Sequence, residues 1–261
     1  MFESRSDDRV FVRNKSSRPA VVIGESGRHS IQIWRRAKSQ KQRAVFRSEE
    51  RSSSATLNKM SDASFELFQF DAYLFDIDGT LANTRGGVHY NSFHTALREI
   101  YRCDGRIDDV SVHGNTDPGI LRAALEHHGK LPADFEARLP AAREMMCAEV
   151  ASKADGMDVE VCPAIPELLA ELHRRGKAIG VVTGNFETIG WLKLERGGIR
   201  RFFDFGSFSD RREKREDIFR HGIELARKLR GSEATVCVAG DTPNDIWAAA
   251  LAGIPVIAAH T

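Results

Sequence analysis

The stretch "YLFDIDGTLANT", Tyr73 to Thr84, runs four largely apolar residues into two aspartates one residue apart and then a Gly-Thr turn. The apolar run "AYLFD", around 72 to 76, lacks the in-out alternation of a half-exposed strand, as expected of a strand covered on both faces. Three later segments repeat the pattern: "AIGVVT" at 178 to 183, "TVCVAG" at 235 to 240 and "IPVIAA" at 254 to 259. Helical patterns lie between them, among them "IPELLAELHRRG", with apolar residues at i, i+3 and i+4 and a stop at Gly176, and "EDIFRHGIELARKL". This rhythm predicts an α/β fold built on a doubly wound parallel sheet.

One gap breaks it. About a hundred residues separate the first two strands, far more than a crossover helix requires. The intervening sequence reads as helices: "HYNSFHTALREIY", then "TDPGILRAALEHHG" with Thr116 as N-cap and Pro118 in the first turn, then "LPADFEARLPAAREMMCAEVA". We therefore expect an inserted α-helical cap subdomain at about 84–162, lying over the carboxyl ends of the strands, where open α/β sheets bind ligands.

Composition sets the outer limits. The 261 residues are 41% hydrophobic and 29% charged, which suits one globular unit, here residues 66–261. The formal net charge of +1 hides an asymmetry, because residues 1–60 carry 14 Lys/Arg against six Asp/Glu, a net +8 that leaves −7 for the remainder. Residues 1–65 are rich in Ser and Arg with two short apolar patches, "VVIG" and "IQIW", and are expected to form a disordered basic extension. The basic arm lacks interleaved aromatics, so a nucleic-acid partner is not expected. Met60 stands where the composition changes and is a second candidate start of translation. Cys103, Cys147, Cys162 and Cys237 show no paired spacing and are expected as free thiols in a reducing cytoplasm. No apolar run approaches the roughly 18 residues of a membrane span.

Polar residues cluster where the strands end. Asp76 and Asp78 follow the first, Thr183, Gly184 and Asn185 the second, and Asp241 and Asp245 the third. In a parallel sheet these tips converge, so three loops supply one acidic pocket. Such a pocket is electrostatically costly without a cation, and hard oxygen donors select Mg²⁺.

The segments "DIDGT", "VVTGN" and "GDTPND" resemble motifs one, two and four of the haloacid dehalogenase (HAD) superfamily, in its phosphatase branch, over residues 71 to about 259. The resemblance implies a HAD-like Rossmannoid core and hydrolysis of a small organic phosphate monoester. It makes Asp76 the nucleophile that forms an aspartyl-phosphate and Asp78 the acid and base for the leaving alcohol and the water. It implies Mg²⁺ held by Asp76, the Asp78 carbonyl and Asp241, with Asp245 in support, and phosphoryl oxygens received by Thr183 and the N–H groups of Gly184 and Asn185. The motif-three cation falls in "GSFSDRREKREDIF", where Arg215 fits best and Lys214 is the runner-up, without the family's usual Lys-Pro pair.

Asp78 disfavours dehalogenation, which needs no acid for a halide, and a sugar phosphomutase remains the alternative among the capped members. "HGNTDPGIL", His113 to Leu121, resembles a cap segment of phosphoglycolate-phosphatase-like members and offers Asn115 to the substrate. His89, His94 and His113 are expected to be structural. The chain ends soon after its last strand, where the family continues, so a truncated or catalytically weak phosphate-ligand binder is a second alternative.

Overall fold

The computed structural model describes residues 20–23, 32–34 and 68–259. In chain order its elements are β1 (Ala20–Ile23), β2 (Gln32–Trp34), β3 (Ala72–Phe75), β4 (Ala82–Arg85), α1 (Val88–Tyr101), α2 (Asp117–His127), α3 (Phe135–Ser152) and β5 (Asp158–Val161). Then come α4 (Ile165–Arg174), β6 (Ala178–Val182), α5 (Glu187–Arg196), β7 (Phe205–Ser207), α6 (Arg215–Arg230), β8 (Val236–Gly240), α7 (Pro243–Leu251) and β9 (Val256–Ala259).

Seven strands form one sheet in the order β2-β1-β9-β8-β3-β6-β7, parallel throughout except where β2 pairs with β1. β3 lies inside it, and all four of its residues are buried. Its pleat sends Ala72 and Leu74 into one core with Ile218, Phe219 and Ile223 of α6 and Ala248 and Ala249 of α7. Tyr73 and Phe75 go to the opposite core with Leu169 and Leu172 of α4 and Leu194 of α5. Two buried faces require a strand apolar at every position, which is why "AYLF" does not alternate. Each fully buried Leu or Phe contributes roughly 1.5–3 kcal/mol.

The insertion is the expected helical layer, with a core of its own. Phe93, Leu97 and Tyr101 of α1, Leu121 and Leu125 of α2, and Phe135, Met146 and Val150 of α3 pack together, joined by Phe186 and Ile189 from the sheet domain. Thr116 caps α2 as its position suggests, accepting from the Gly119 N–H at 3.1 Å. The helices do not make up the whole insertion, however. β4 and β5 pair antiparallel, from Ala82 with Val161 to Arg85 with Asp158, as a two-stranded stem where the chain leaves and re-enters the sheet domain. "ANTR" and "DVEV" are short and mostly polar or exposed, so no apolar alternation announced them.

Two further elements extend the expected set. β7 is only three residues long, and α5, "ETIGWLKLER", follows directly from the β6 tip. At the other edge the two apolar patches of the amino-terminal segment form β1 and β2, with β1 running parallel along β9 from Val21 opposite Ile257. The rest of the expected extension, including Met60, lies outside the described residues. Cys103, Cys162 and Cys237 are buried and Cys147 is half-buried, none of them in a disulfide. Among the described residues, no helix is long and apolar enough to cross a membrane.

Candidate active site

Strand register assembles the site. Phe75 lies opposite Val181 on one side and Ala239 on the other. Asp76 follows Phe75 directly and Thr183 and Asp241 stand two residues beyond Val181 and Ala239, so all three leave the sheet at its carboxyl edge. The Asp76 N–H still donates to the Ala239 carbonyl at 3.0 Å, which fixes its backbone to the sheet. Ile77 turns back into the core, fully buried, and this separates the two aspartates.

Asp76, Asp241 and Asp245 converge, with one carboxylate oxygen from each lying within 4.8 Å of the others. Asp76 is 3% exposed. Its Oδ2 lies 2.9 Å from the Arg215 guanidinium, while Oδ1 is buried without a hydrogen-bond partner. Burial pushes the Asp76 carboxyl up to about 7, opposed by Arg215 and reinforced by Asp245, Asp78 and Asp241. Burial likewise raises Asp241, against the hydrogen bond from Thr80. Carboxylates that resist ionisation, one with an orphaned oxygen, are what a hard-cation site looks like when no cation neutralises it. The donor set therefore fits Mg²⁺.

Of the two motif-three candidates, Arg215 is the one placed against the carboxylates. It is buried at the first turn of α6, and its fork reaches Asp245 Oδ1 through Nε at 2.8 Å as well as Asp76. Burial works against its charge, but the Asp76 and Asp245 carboxylates outweigh that and raise its pKa. Lys214, the runner-up from sequence, is the exposed residue that precedes α6, and it lines an open cleft instead of the carboxylate cluster. One residue of helical rotation separates an inward side chain from an outward one, and the charge run alone could not settle the phase.

Asp245 also has partners of its own on both oxygens. Its Oδ2 accepts from the backbone N–H and hydroxyl of Thr242 in a capping box at the start of α7, and Oδ1 is held by Arg215. It thus belongs to the carboxylate cluster and also anchors the guanidinium.

Asp78 takes a different direction. Its carboxylate is half exposed and accepts from Lys193 Nζ at 2.7 Å on both oxygens and from Asn185 Nδ2 at 2.8 Å. Desolvation would raise its pKa, but the Lys193 ammonium and these hydrogen bonds hold it below the ordinary carboxylate value. Asn185 Nδ2 also donates to Thr183 Oγ1 at 2.7 Å. Lys193 was not among the residues singled out from sequence, although a lysine on the inner side of an amphipathic helix, eight positions after Asn185, was the signal available.

The turn after Asp78 depends on Gly79, which has φ +83°. A Cβ there would fall 2.3 Å from Asp241 Oδ2, so the peptide and the carboxylate share space only a glycine leaves. Thr80 reaches across to donate to Asp241 Oδ1 at 2.8 Å, tying the β3 turn to the β8 tip rather than bracing its own turn. We expect Gly79→Ala to fold yet to lose at least about tenfold in kcat/KM and to need more Mg²⁺ for half-maximal rate, because displacing Asp241 disturbs the cation donors. Steady-state rates across a Mg²⁺ titration would check this, and wild-type values would refute it.

The insertion closes over this end of the sheet. The Asp117 N–H donates to the Gly184 carbonyl at 2.7 Å, and Asp117 Oδ2 accepts from the Phe186 N–H at 2.7 Å. Arg122 on α2 bonds Glu213 at 2.6 Å, and the Thr116 hydroxyl donates to the Glu213 carbonyl. Asn115 uses its Oδ1 to accept from the Thr116 N–H and lines a cleft of about 320 Å³ together with Lys214, Arg215, Asn244 and Trp247. His89 Nε2 stands 3.3 Å from Asp117 Oδ1, His94 packs edge-on against Tyr90, and His113 is exposed.

With this geometry in view, comparison with known proteins is direct. Residues 73–259 match the haloacid dehalogenase-like hydrolase family. The chain is 28% identical over 187 residues to a probable phosphatase, IndB, of Dickeya dadantii (strain 3937), across 70% of this chain and 78% of that one. It is 27% identical over 186 residues to a phosphoglycolate phosphatase of Agrobacterium fabrum (strain C58), again across 70% and 78%. The structure of CbbY from Rhodobacter sphaeroides in complex with phosphate has the same fold, with a TM-score of 0.53 and 23% identity over 74% of this chain and 87% of that one.

Proposed function

The chain belongs to the haloacid dehalogenase-like hydrolase family, and on that premise we propose that it is a Mg²⁺-dependent phosphatase cleaving a small organic phosphate monoester. The observation that carries the reading is Asp76, with one oxygen held by Arg215 and the other buried, unpartnered and beside Asp241. Both sequence relatives bear phosphatase names, one of them phosphoglycolate phosphatase.

In the first half-reaction an Asp76 oxygen attacks phosphorus, the bond to the leaving oxygen breaks, and Asp78, entering the cycle in its protonated form, gives that oxygen the proton. In the second, Asp78 takes a proton from water, which attacks phosphorus and frees Asp76 and phosphate. Arg215 keeps Asp76 aimed and balances charge on the transferring group, while Thr183 and the N–H groups of Gly184 and Asn185 receive phosphoryl oxygens. Mg²⁺, which the Asp76 and Asp241 carboxylates and the Asp78 carbonyl would hold, offsets the repulsion between an anionic nucleophile and an anionic phosphate. The cleft lined by Asn115 and Lys214 has room for a small leaving group. Four cysteines outside any disulfide suit a reducing cytoplasm.

The test is phosphate release from p-nitrophenyl phosphate with Mg²⁺ and with EDTA. Turnover that EDTA removes supports the reading; a folded protein inert toward a broad panel of phosphate esters would favour a binding role instead.

A stability measurement addresses the cation separately. Because Asp76 has a folded-state pKa of about 7 against an ordinary 3.8, the native state binds its proton more tightly than the unfolded state does. That contribution is complete below about pH 4 and is lost as pH rises through about 7. The metal-free protein should therefore lose thermal stability over this range, and Mg²⁺ should raise Tm most at its alkaline end. A Tm indifferent to Mg²⁺ there would refute the cation assignment.

A further inference from the structure

The roles assigned above leave the buried ammonium of Lys193 unused. Lys193 projects from the inner face of α5 and is 2% exposed. Its ammonium donates at 2.7 Å to each Asp78 oxygen and at 2.8 Å to Asn185 Oδ1. Asn185 in turn donates through Nδ2 to Asp78 Oδ2 and Thr183 Oγ1. One lysine thus ties the carboxylate after β3 to the hydroxyl at the tip of β6, through contacts separated by up to 115 residues of chain.

Packing alone does not call for a lysine here. Ile189 and Leu194 fill the rest of the buried face of α5, and a buried ammonium is costly to desolvate unless its partners are arranged around it. Asp78, by contrast, is half exposed, and a carboxylate at such a turn has rotamers to choose from. Lys193 and Asn185 grip both of its oxygens and remove that freedom. We infer that Lys193 is a positioning residue for the hydrolysis, fixing the Asp78 carboxyl group relative to Thr183 so that it faces the leaving oxygen, and then the water, in one orientation. This inference rests on the phosphatase reading, since it concerns the group that serves the leaving oxygen.

The test compares phenyl phosphate with p-nitrophenyl phosphate, which present the same ring but differ in how much the leaving oxygen needs a proton. Lys193→Met should lower kcat/KM for phenyl phosphate at least about tenfold more than for p-nitrophenyl phosphate, the selectivity expected when general-acid help is lost. Asp78→Asn should show the same bias, and adding Lys193→Met to it should cost little more. Equal losses on both esters would mark a structural role and overturn the inference, as would wild-type rates. If the wild type turns over neither ester, the phosphatase reading fails separately. The pair is then judged by thermal unfolding of the same single and double variants, where additive effects overturn the inference and coupling sustains the Lys193 grip on Asp78.

Discussion

Replacing Asp76 with asparagine is expected to abolish phosphate release, by a factor on the order of 10⁴ or more, while leaving the protein folded. Asparagine keeps the shape of the side chain and one oxygen to accept from Arg215, but it lacks the anionic oxygen that the proposed mechanism requires to attack phosphorus. No other carboxylate can replace it. Asp241 is engaged by Thr80, Asp245 is locked between Arg215 and the α7 cap, and Asp78 is gripped by Lys193. The loss should come without a fall in metal-free stability. Asp76 resists ionisation because it is buried among like charges, so a neutral amide should leave Tm unchanged or raise it near neutral pH. Phosphate release and a melting curve on the same preparation check both parts. Residual turnover within tenfold of wild type would remove Asp76 from the role of nucleophile.

Arg215→Met should have the second largest effect, expressed in stability as well as rate. The substitution keeps an apolar stem but leaves Asp76 and Asp245 facing each other, both buried, with their shared cation gone. Breaking a buried ion network by removing one partner typically costs about 3–5 kcal/mol. For a domain of this size that corresponds to a fall of roughly 6–20 °C in Tm. Asp245 also caps α7, so part of the loss should appear as fraying of that helix. Activity should fall with the remaining folded fraction and further, because the transferring phosphoryl group loses its counter-charge. A drop of only a degree or two would mean that the carboxylates find another partner. Arg215→Lys should recover part of the stability but not the forked contact, since an ammonium cannot span Asp76 and Asp245 as a planar guanidinium does.

Much of this site was legible in the sequence because its elements announce themselves locally. A strand buried on both faces must be apolar at every position, and "AYLF", "AIGVV" and "VCVAG" are. A parallel sheet places all its carboxyl ends together, so the polar residues after those runs had to converge. Thr116 sits at a helix start whose capping chemistry is written in the residues around it. The stem made by β4 and β5 was not legible, because each strand is short, largely polar and stabilised by a partner more than 70 residues away. Lys193 was hidden for a related reason, as its meaning depends on which side of α5 packs against β3.

From sequence alone came the α/β sheet, the inserted helical layer and the convergence of Asp76, Thr183 and Asp241, since hydrophobic periodicity and chain direction are properties of the linear chain. Only the tertiary structure set Arg215 rather than Lys214 against the carboxylates, tied Asp245 to Arg215 and the α7 cap, and placed Lys193 on Asp78. These outcomes turn on helix phase and on distances of about 3 Å between residues remote in sequence, and such geometry exists only once the packed elements fix where each side chain can reach.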